Sequence, residues 1–163
     1  MIEKNNLLIR VCNIAIKAGV ETLKYYNEDI QVTHKDDSSP LTKADLASNK
    51  IIMNALQQLD RTIPILSEES LVEWKERKNW TKYWLVDPLD GTKEFIKQNG
   101  EFTVNIALIE NNKPVLGVIY TPVKFDLYYA QKNCGSYKIN SSSKLINLQE
   151  AVKIFVANQS SIK

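Results

Sequence analysis

The chain has 163 residues, 44% of them hydrophobic and 25% charged, which is enough to bury a substantial core and fits a single domain. Its 21 basic and 19 acidic residues leave a formal charge of +2, so the composition gives no reason to expect nucleic acid or another polyanion as a partner. No apolar run approaches the length that crosses a bilayer and the amino terminus lacks an apolar signal core, so we expect no integral membrane segment.

The first half of the chain predicts two amphipathic helices. Apolar residues recur at helical spacing from Leu7 to Tyr26, and Gly19 interrupts that pattern only weakly. A strand is predicted over 30–34, where the lone His34 has no partner in sequence and is expected at the surface. A second helix follows, and one face of it carries Ile52, Ala55, Leu56 and Leu59.

The start of this second helix carries Thr42 and Asp45, which have the spacing of a capping box. Such a box satisfies backbone groups at the helix start, and it is a complete structural explanation of both residues. A catalytic role for Asp45 therefore needs support from elsewhere in the sequence.

A first acidic segment follows a short apolar run. Residues 63–66 are predicted to form a buried strand that leads into Ser67, Glu68 and Glu69. The alternative is a helix start, with Ser67 as the N-cap and both glutamates in the first turn. Taken alone, the helix start is the simpler explanation.

A second acidic segment follows the apolar run over 84–86. Pro88 separates Asp87 from Asp90 and favours a turn over continued sheet pairing, so both carboxylates can face one ion. With the backbone oxygen of Leu89 they form the set of oxygen donors that Mg²⁺ prefers. The alternative is an Asx-turn that closes a strand, because Asp-Pro and Asp-Gly pairs are usually turns.

Two further features of this region suit an anion. Gly91 permits close approach of the backbone, and Thr92 offers a hydroxyl group. If Thr92 opens a short helix over 93–97, its free N–H groups would face a bound phosphate. A cluster of basic residues could steer an anionic substrate, although a solvated loop is the ordinary explanation of such a run: Lys75, Arg77, Lys78 and Lys82.

The second half of the chain predicts a series of strands. Alternating residues over 102–108 and an apolar run over 115–121 flank Asn111 and Asn112, which is the signal of a hairpin. Further strands are predicted over 127–130, 135–139 and 151–157. The predicted fold class is therefore α+β, with helices layered on a largely antiparallel sheet.

The acidic segments resemble the signature of the inositol monophosphatase superfamily, whose members are magnesium-dependent phosphatases. The resemblance rests on Asp-Pro-Leu-Asp-Gly-Thr at 87–92 with Glu68 and Glu69 before it. The sequence is similar to the bacterial bisphosphate nucleotidase branch over residues 39–42, 66–69, 93–97 and 99–107. The similarity runs from about residue 7 to about residue 130, with several separate motifs in the same order.

The resemblance implies a role for each residue of the site. It implies Mg²⁺ as the cofactor, held by oxygen atoms of Glu68, Asp87, Leu89 and Asp90. It implies a substrate phosphate held next to these ligands by Gly91 and Thr92. It pairs Thr92 with Asp45 as the catalytic couple that activates the attacking water. It also implies the amino-terminal lobe of the layered sugar-phosphatase fold.

The resemblance further implies a substrate. The expected reaction removes the 3′-phosphate of adenosine 3′,5′-bisphosphate and yields AMP and phosphate. Inositol phosphate and fructose bisphosphate are alternative substrates, but the continuation Lys93-Glu94-Phe95 resembles the nucleotidase pattern more than the inositol one. A function of another class also stays open, namely a noncatalytic fragment that needs a partner lobe or associates with itself through an exposed sheet.

The chain departs from the superfamily in length. Members are longer and carry a second lobe with a Trp-Asp motif, and no Trp-Asp pair occurs here. We therefore expect residues 1–163 to form a single amino-terminal lobe, truncated before the carboxyl-terminal lobe and impaired in activity.

Cys12 and Cys134 have no metal or disulfide spacing and are expected as free thiols in the cytoplasm. The resemblance allows peripheral attachment to the inner membrane, for which the sequence gives no support.

Overall fold

A mixed sheet forms the centre of the computed structural model, which describes residues 2–26, 32–34, 40–141 and 150–156. The described helices are α1 (Ile2–Tyr26), α2 (Lys43–Leu59), α3 (Trp74–Arg77) and α4 (Thr92–Ile96). The described strands are β1 (Val32–His34), β2 (Pro40–Thr42), β3 (Ile65–Ser67), β4 (Lys82–Asp90), β5 (Thr103–Glu110), β6 (Lys113–Thr121), β7 (Asp126–Gln131), β8 (Gly135–Asn140) and β9 (Val152–Ile154).

The strands from β3 to β9 lie in the sheet in the order of the chain. Strands β3 and β4 pair in parallel, and every other described neighbour in this sheet pairs antiparallel. The predicted fold class, helices on a largely antiparallel sheet, is confirmed. The predicted hairpin is also confirmed, with Asn111 and Asn112 at positive φ in its turn.

Helices α1 and α2 cover one face of the sheet. Alternate residues of the central strands point to this face because side chains of a strand alternate between its two sides. The core formed there includes Val11, Ala15, Ile52, Leu56, Trp84, Val86, Ile106 and Val118. Gly19 lies within α1, where an added Cβ would come within 2.5 Å of the Tyr120 ring. It therefore lets the helix approach the sheet closely, and the helix continues through it.

The opposite face of the sheet remains partly open. Leu85 in β4 and Ile119 in β6 are 44% and 46% exposed, although both are large and apolar. Gly117 on the same face has no atom within 4 Å of the place where a Cβ would lie. The candidate site described below opens onto this face.

Several local predictions are corrected by tertiary contacts. Ser67 ends β3 and does not cap a helix, because β3 pairs with β4 and the next described helix begins at Trp74. Pro88 does not end β4, which continues to Asp90 through an irregularity. Lys75 and Arg77 belong to α3, so the basic cluster is not simply a solvated loop.

Other predictions have mixed outcomes. The strand predicted over 30–34 is present over Val32–His34, whereas residues 30 and 31 and the side chain of His34 lie outside the described part of the structure. Residue 157 of the last predicted strand also lies outside it. Cys12 is buried and Cys134 is exposed, and both are free thiols as predicted.

Candidate active site

A β-bulge in β4 brings two aspartates to one face of the sheet. Asp87 pairs with Asn105 and Asp90 pairs with Thr103, so three steps along β4 match two steps along β5. In a regular strand, residues three apart point to opposite faces, and the extra residue cancels that alternation. Asp87 and Asp90 therefore line the same cavity. A proline is compatible with this position because a bulge does not require its missing N–H.

Contacts of Leu89, inside the bulge, and of Gly91, just after it, fix the backbone of this segment. The Leu89 N–H donates to Asp87 Oδ1 at 3.2 Å, and the Leu89 side chain is buried against Phe95 and Phe102. Gly91 has a φ of 96°, and an added Cβ would lie 2.9 Å from the carbonyl oxygen of Glu101. Position 91 therefore requires glycine for both backbone conformation and space. The predicted helix follows it and begins at Thr92.

Parallel pairing places Glu68 beside Asp87. Ser67 is the register partner of Val86, and the Glu68 N–H donates to the Val86 carbonyl at 3.1 Å. Burial raises the pKa of Asp87 to about 7, and the negative charges of Glu68 and Asp90 and a hydrogen bond with Glu68 add to the rise. The two acidic segments predicted to share one site thus do come together.

Asp45 divides its two carboxylate oxygens between the helix start and Thr92. Its Oδ2 accepts from the Thr42 N–H at 2.8 Å and from Thr42 Oγ1 at 2.6 Å, which completes the predicted capping box. Its Oδ1 accepts from Thr92 Oγ1 at 3.1 Å. Burial raises the pKa of Asp45, and the hydrogen bonds from Thr42 and Thr92 oppose that rise. Asp45 therefore caps α2 and contacts Thr92 at the same time, so the capping box does not exclude the predicted catalytic role.

Asn105 is a site residue that the sequence reasoning did not single out by itself. Its Nδ2 donates to Asp90 Oδ2 at 3.2 Å, and its Oδ1 accepts from Thr103 Oγ1 at 3.3 Å. The alternation of polar and apolar residues in β5 was the available signal, because it places Thr103 and Asn105 on the face opposite the core. The hydrogen bond from Asn105 to Asp90 was not predictable, because it depends on the sheet register that pairs Asn105 with Asp87.

The carboxylates lie at one side of an open cavity of about 980 Å³. Glu68, Asp87, Asp90 and Asn105 line it together with Arg77, whose Nε also donates to the Val72 carbonyl. The rest of the lining is largely apolar and comes from the sheet and from Leu71 and Val72, which lie between β3 and α3. Asp45 is 1% exposed and lies behind this surface, in contact with Thr92.

The chemistry of these donors fits a hard divalent cation. Three carboxylates and the Leu89 carbonyl are the oxygen ligands that Mg²⁺ accepts, and a cation would relieve the repulsion that raises the pKa of Asp87. Within the described ranges, however, no three acidic, histidine or cysteine side chains already surround one point as a finished metal centre. Glu68 and Asp87 instead share a hydrogen bond, which a cation would replace.

Comparison with known proteins assigns the chain to a family. A sequence model of the inositol monophosphatase family matches residues 3–162. The chain belongs to that family. Its fold agrees, because the crystal structure of CysQ from Bacteroides thetaiotaomicron, described as a bacterial member of the inositol monophosphatase family, superposes with a TM-score of 0.79. That match has 37% identity and covers 96% of this chain and 60% of the other.

One further relative matches in sequence and one further structure matches in fold. It is 49% identical over 140 residues to the 3′(2′),5′-bisphosphate nucleotidase CysQ of Salmonella typhimurium, which covers 81% of this chain and 57% of the relative. The crystal structure of an IMPase/NADP phosphatase complexed with Mg²⁺ and phosphate matches in fold, with a TM-score of 0.65 and 20% identity over 75% of this chain and 46% of that one. The chain thus spans between about half and three fifths of the length of the proteins it matches here.

No described helix is both long enough and apolar enough to cross a membrane.

Proposed function

We propose that residues 1–163 form an amino-terminal catalytic lobe of a magnesium-dependent phosphatase. The proposed reaction is removal of the 3′-phosphate of adenosine 3′,5′-bisphosphate to give AMP and phosphate. The observation that carries the proposal is the β4 bulge, which turns Asp87 and Asp90 to one face beside Glu68. The name of the CysQ relatives supports this choice of substrate over inositol phosphate or fructose bisphosphate.

In this proposal, oxygen atoms of four residues hold Mg²⁺: Glu68, Asp87, Leu89 and Asp90. Bound Mg²⁺ would neutralise phosphate charge and lower the pKa of a coordinated water. Gly91 and Thr92 would hold the substrate phosphate directly after Asp90, which lines the cavity. The pKa of Asp87, raised to about 7, supports the proposal because a cluster of carboxylates favours a cation over mutual repulsion.

Thr92 and Asp45 would move the proton of the attacking water. Thr92 has a single hydroxyl proton, and Asp45 Oδ1 at 3.1 Å is a closer acceptor for it than the Leu89 carbonyl at 3.4 Å. Thr92 Oγ1 could accept a proton from water while passing its own to Asp45. The water oxygen then bonds to phosphorus while the bond from phosphorus to the 3′-oxygen breaks, and the 3′-oxygen takes up a proton from solvent water.

The test measures Mg²⁺ binding by calorimetry and phosphate release from adenosine 3′,5′-bisphosphate, inositol phosphate and fructose bisphosphate. We expect binding and a preference for the nucleotide, at a rate reduced relative to longer family members. Asp90→Asn should abolish both, because it removes a ligand. Asp126→Asn is the matched control, since Asp126 pairs with Lys138 away from the cavity. Retained metal-dependent activity in Asp90→Asn would remove Asp90 from the ligands, and equal rates on inositol phosphate would reject the substrate.

A noncatalytic role is the second candidate, and the half-exposed Leu85 and Ile119 favour it. A lobe whose apolar sheet face is open would bind a partner lobe or a second copy of itself. Mg²⁺ binding without phosphate release from any of the three esters would support this role over catalysis by the chain alone.

A further inference from the structure

Helix α2 presents a row of polar side chains to the candidate site. Asp45, Ser48 and Asn49 are three and four positions apart, so they lie on one side of the helix. All three are buried, with exposed fractions of 1%, 0% and 9%. Buried polar groups are costly unless they form hydrogen bonds, so the partners of these three residues show what the row does.

Ser48 attaches the β4 bulge to the helix. Its Oγ donates to the Pro88 carbonyl at 2.7 Å, a contact between residues 40 positions apart. Pro88 lies between Asp87 and Asp90, inside the irregular part of the strand. One short buried hydrogen bond therefore fixes the backbone from which both aspartates project.

Asn49 attaches the turn that carries Glu68. Its Oδ1 accepts from Ser67 Oγ at 2.8 Å, and its Nδ2 donates to Ser70 Oγ at 3.2 Å. The Ser70 N–H also donates to the Ser67 carbonyl at 3.2 Å, which closes the turn around Glu68. Asn49 therefore contacts both ends of this turn.

We propose that Ser48 and Asn49 are positioning residues that set the spacing between Glu68 and the aspartates of the bulge. Adjacent residues of one helix hold both segments, so the rigid backbone of α2 fixes the position of the Glu68 turn relative to the bulge. The inference rests on the proposed function, in which these carboxylates grip one cation. A cation site tolerates displacements of its ligands of only about 0.5 Å, so loss of either attachment should weaken binding.

The experiment measures Mg²⁺ affinity by calorimetry for the whole chain and for Ser48→Ala and Asn49→Ala. We expect each variant to bind about 10-fold more weakly, as is usual when a residue that orients a metal ligand is removed. Thr22→Val is the matched control. Thr22 is also fully buried and its Oγ1 donates to a backbone carbonyl, that of Gly19, at 2.7 Å, but it does so within α1.

Amide spectra of the metal-free chain give a second measurement. Ser48→Ala should shift the amide signals of residues 89–91 and Asn49→Ala those of residues 68–70, whereas Thr22→Val should shift neither group. Ser48→Cys replaces the hydroxyl with a somewhat larger thiol that is only a weak donor, and it serves if Ser48→Ala does not fold. We expect it to weaken Mg²⁺ binding in the same direction.

The outcomes separate the two proposals. If the unmodified chain does not bind Mg²⁺, the proposed function fails and this inference fails with it. If the unmodified chain binds Mg²⁺ and the Ser48 and Asn49 variants bind it as tightly, the proposed function stands and the positioning role is rejected. An equal loss of affinity in Thr22→Val would also reject it, because the effect would then be one of general stability.

Discussion

Asp87 is a residue whose ionisation the fold opposes. Its pKa is raised from 3.8 to about 7 by burial and by the charges of Glu68 and Asp90. For a carboxylate with a raised pKa, the protonated form is the one the folded state favours. Its contribution to stability is therefore complete below pH 3.8 and is lost as the pH rises through about 7.

We predict that the metal-free chain, kept in a chelator, melts at a lower temperature as the pH rises from about 4 to about 7. Each kcal/mol lost lowers the melting temperature by about 2–4 °C for a chain of this size. Asp87→Asn should remove most of this slope, because an amide does not ionise. Asp126→Asn should keep it, since Lys138 lowers the pKa of Asp126 below this range. A slope unchanged in Asp87→Asn would contradict the prediction.

At the scale of elements, the loop between β4 and α4 depends on Gly91. We predict that Gly91→Ala destabilises the chain by about 1–3 kcal/mol, since it forces a left-handed conformation and a close contact with Glu101. Urea denaturation measures the change. Gly117→Ala is the control, because its Cβ would meet no atom within 4 Å and should change stability little. Equal effects of the two substitutions would show that the geometry at Gly91 is not the cause.

How much of these elements could be predicted depended on the range of the deciding contact. The capping box of Thr42 and Asp45 and the hairpin at Asn111 were predictable because their partners lie within a few residues. The end of β3 at Ser67 was decided by parallel pairing with β4, which no local pattern records. In the candidate site, too, predictability depended on the distance in sequence between the contacting residues. Asp87 and Asp90 were predictable from their own motif, whereas Ser48 contacts a carbonyl 40 positions away.

At the scale of the whole molecule, the open sheet face is the feature with a measurable consequence. We predict that the chain associates with itself as its concentration rises, because this face leaves Leu85 and Ile119 half exposed. Ile119→Lys should shift sedimentation toward the monomer. Val20→Lys is the control, since Val20 is 45% exposed and lies in α1 on the other side of the sheet. A chain that stays monomeric at the highest concentration would contradict the prediction.

The pairing of β3 with β4 has a consequence for how the site is lost. Strand β3 has three paired residues and lies at the edge of the sheet, yet Glu68 directly follows it and depends on it for its position. Short edge elements detach far more often than the core unfolds. Brief fraying of this one strand would therefore separate Glu68 from Asp87 and Asp90 while the helices and remaining strands stay intact. We expect the proposed cation binding to be lost in heat or mild urea before global melting.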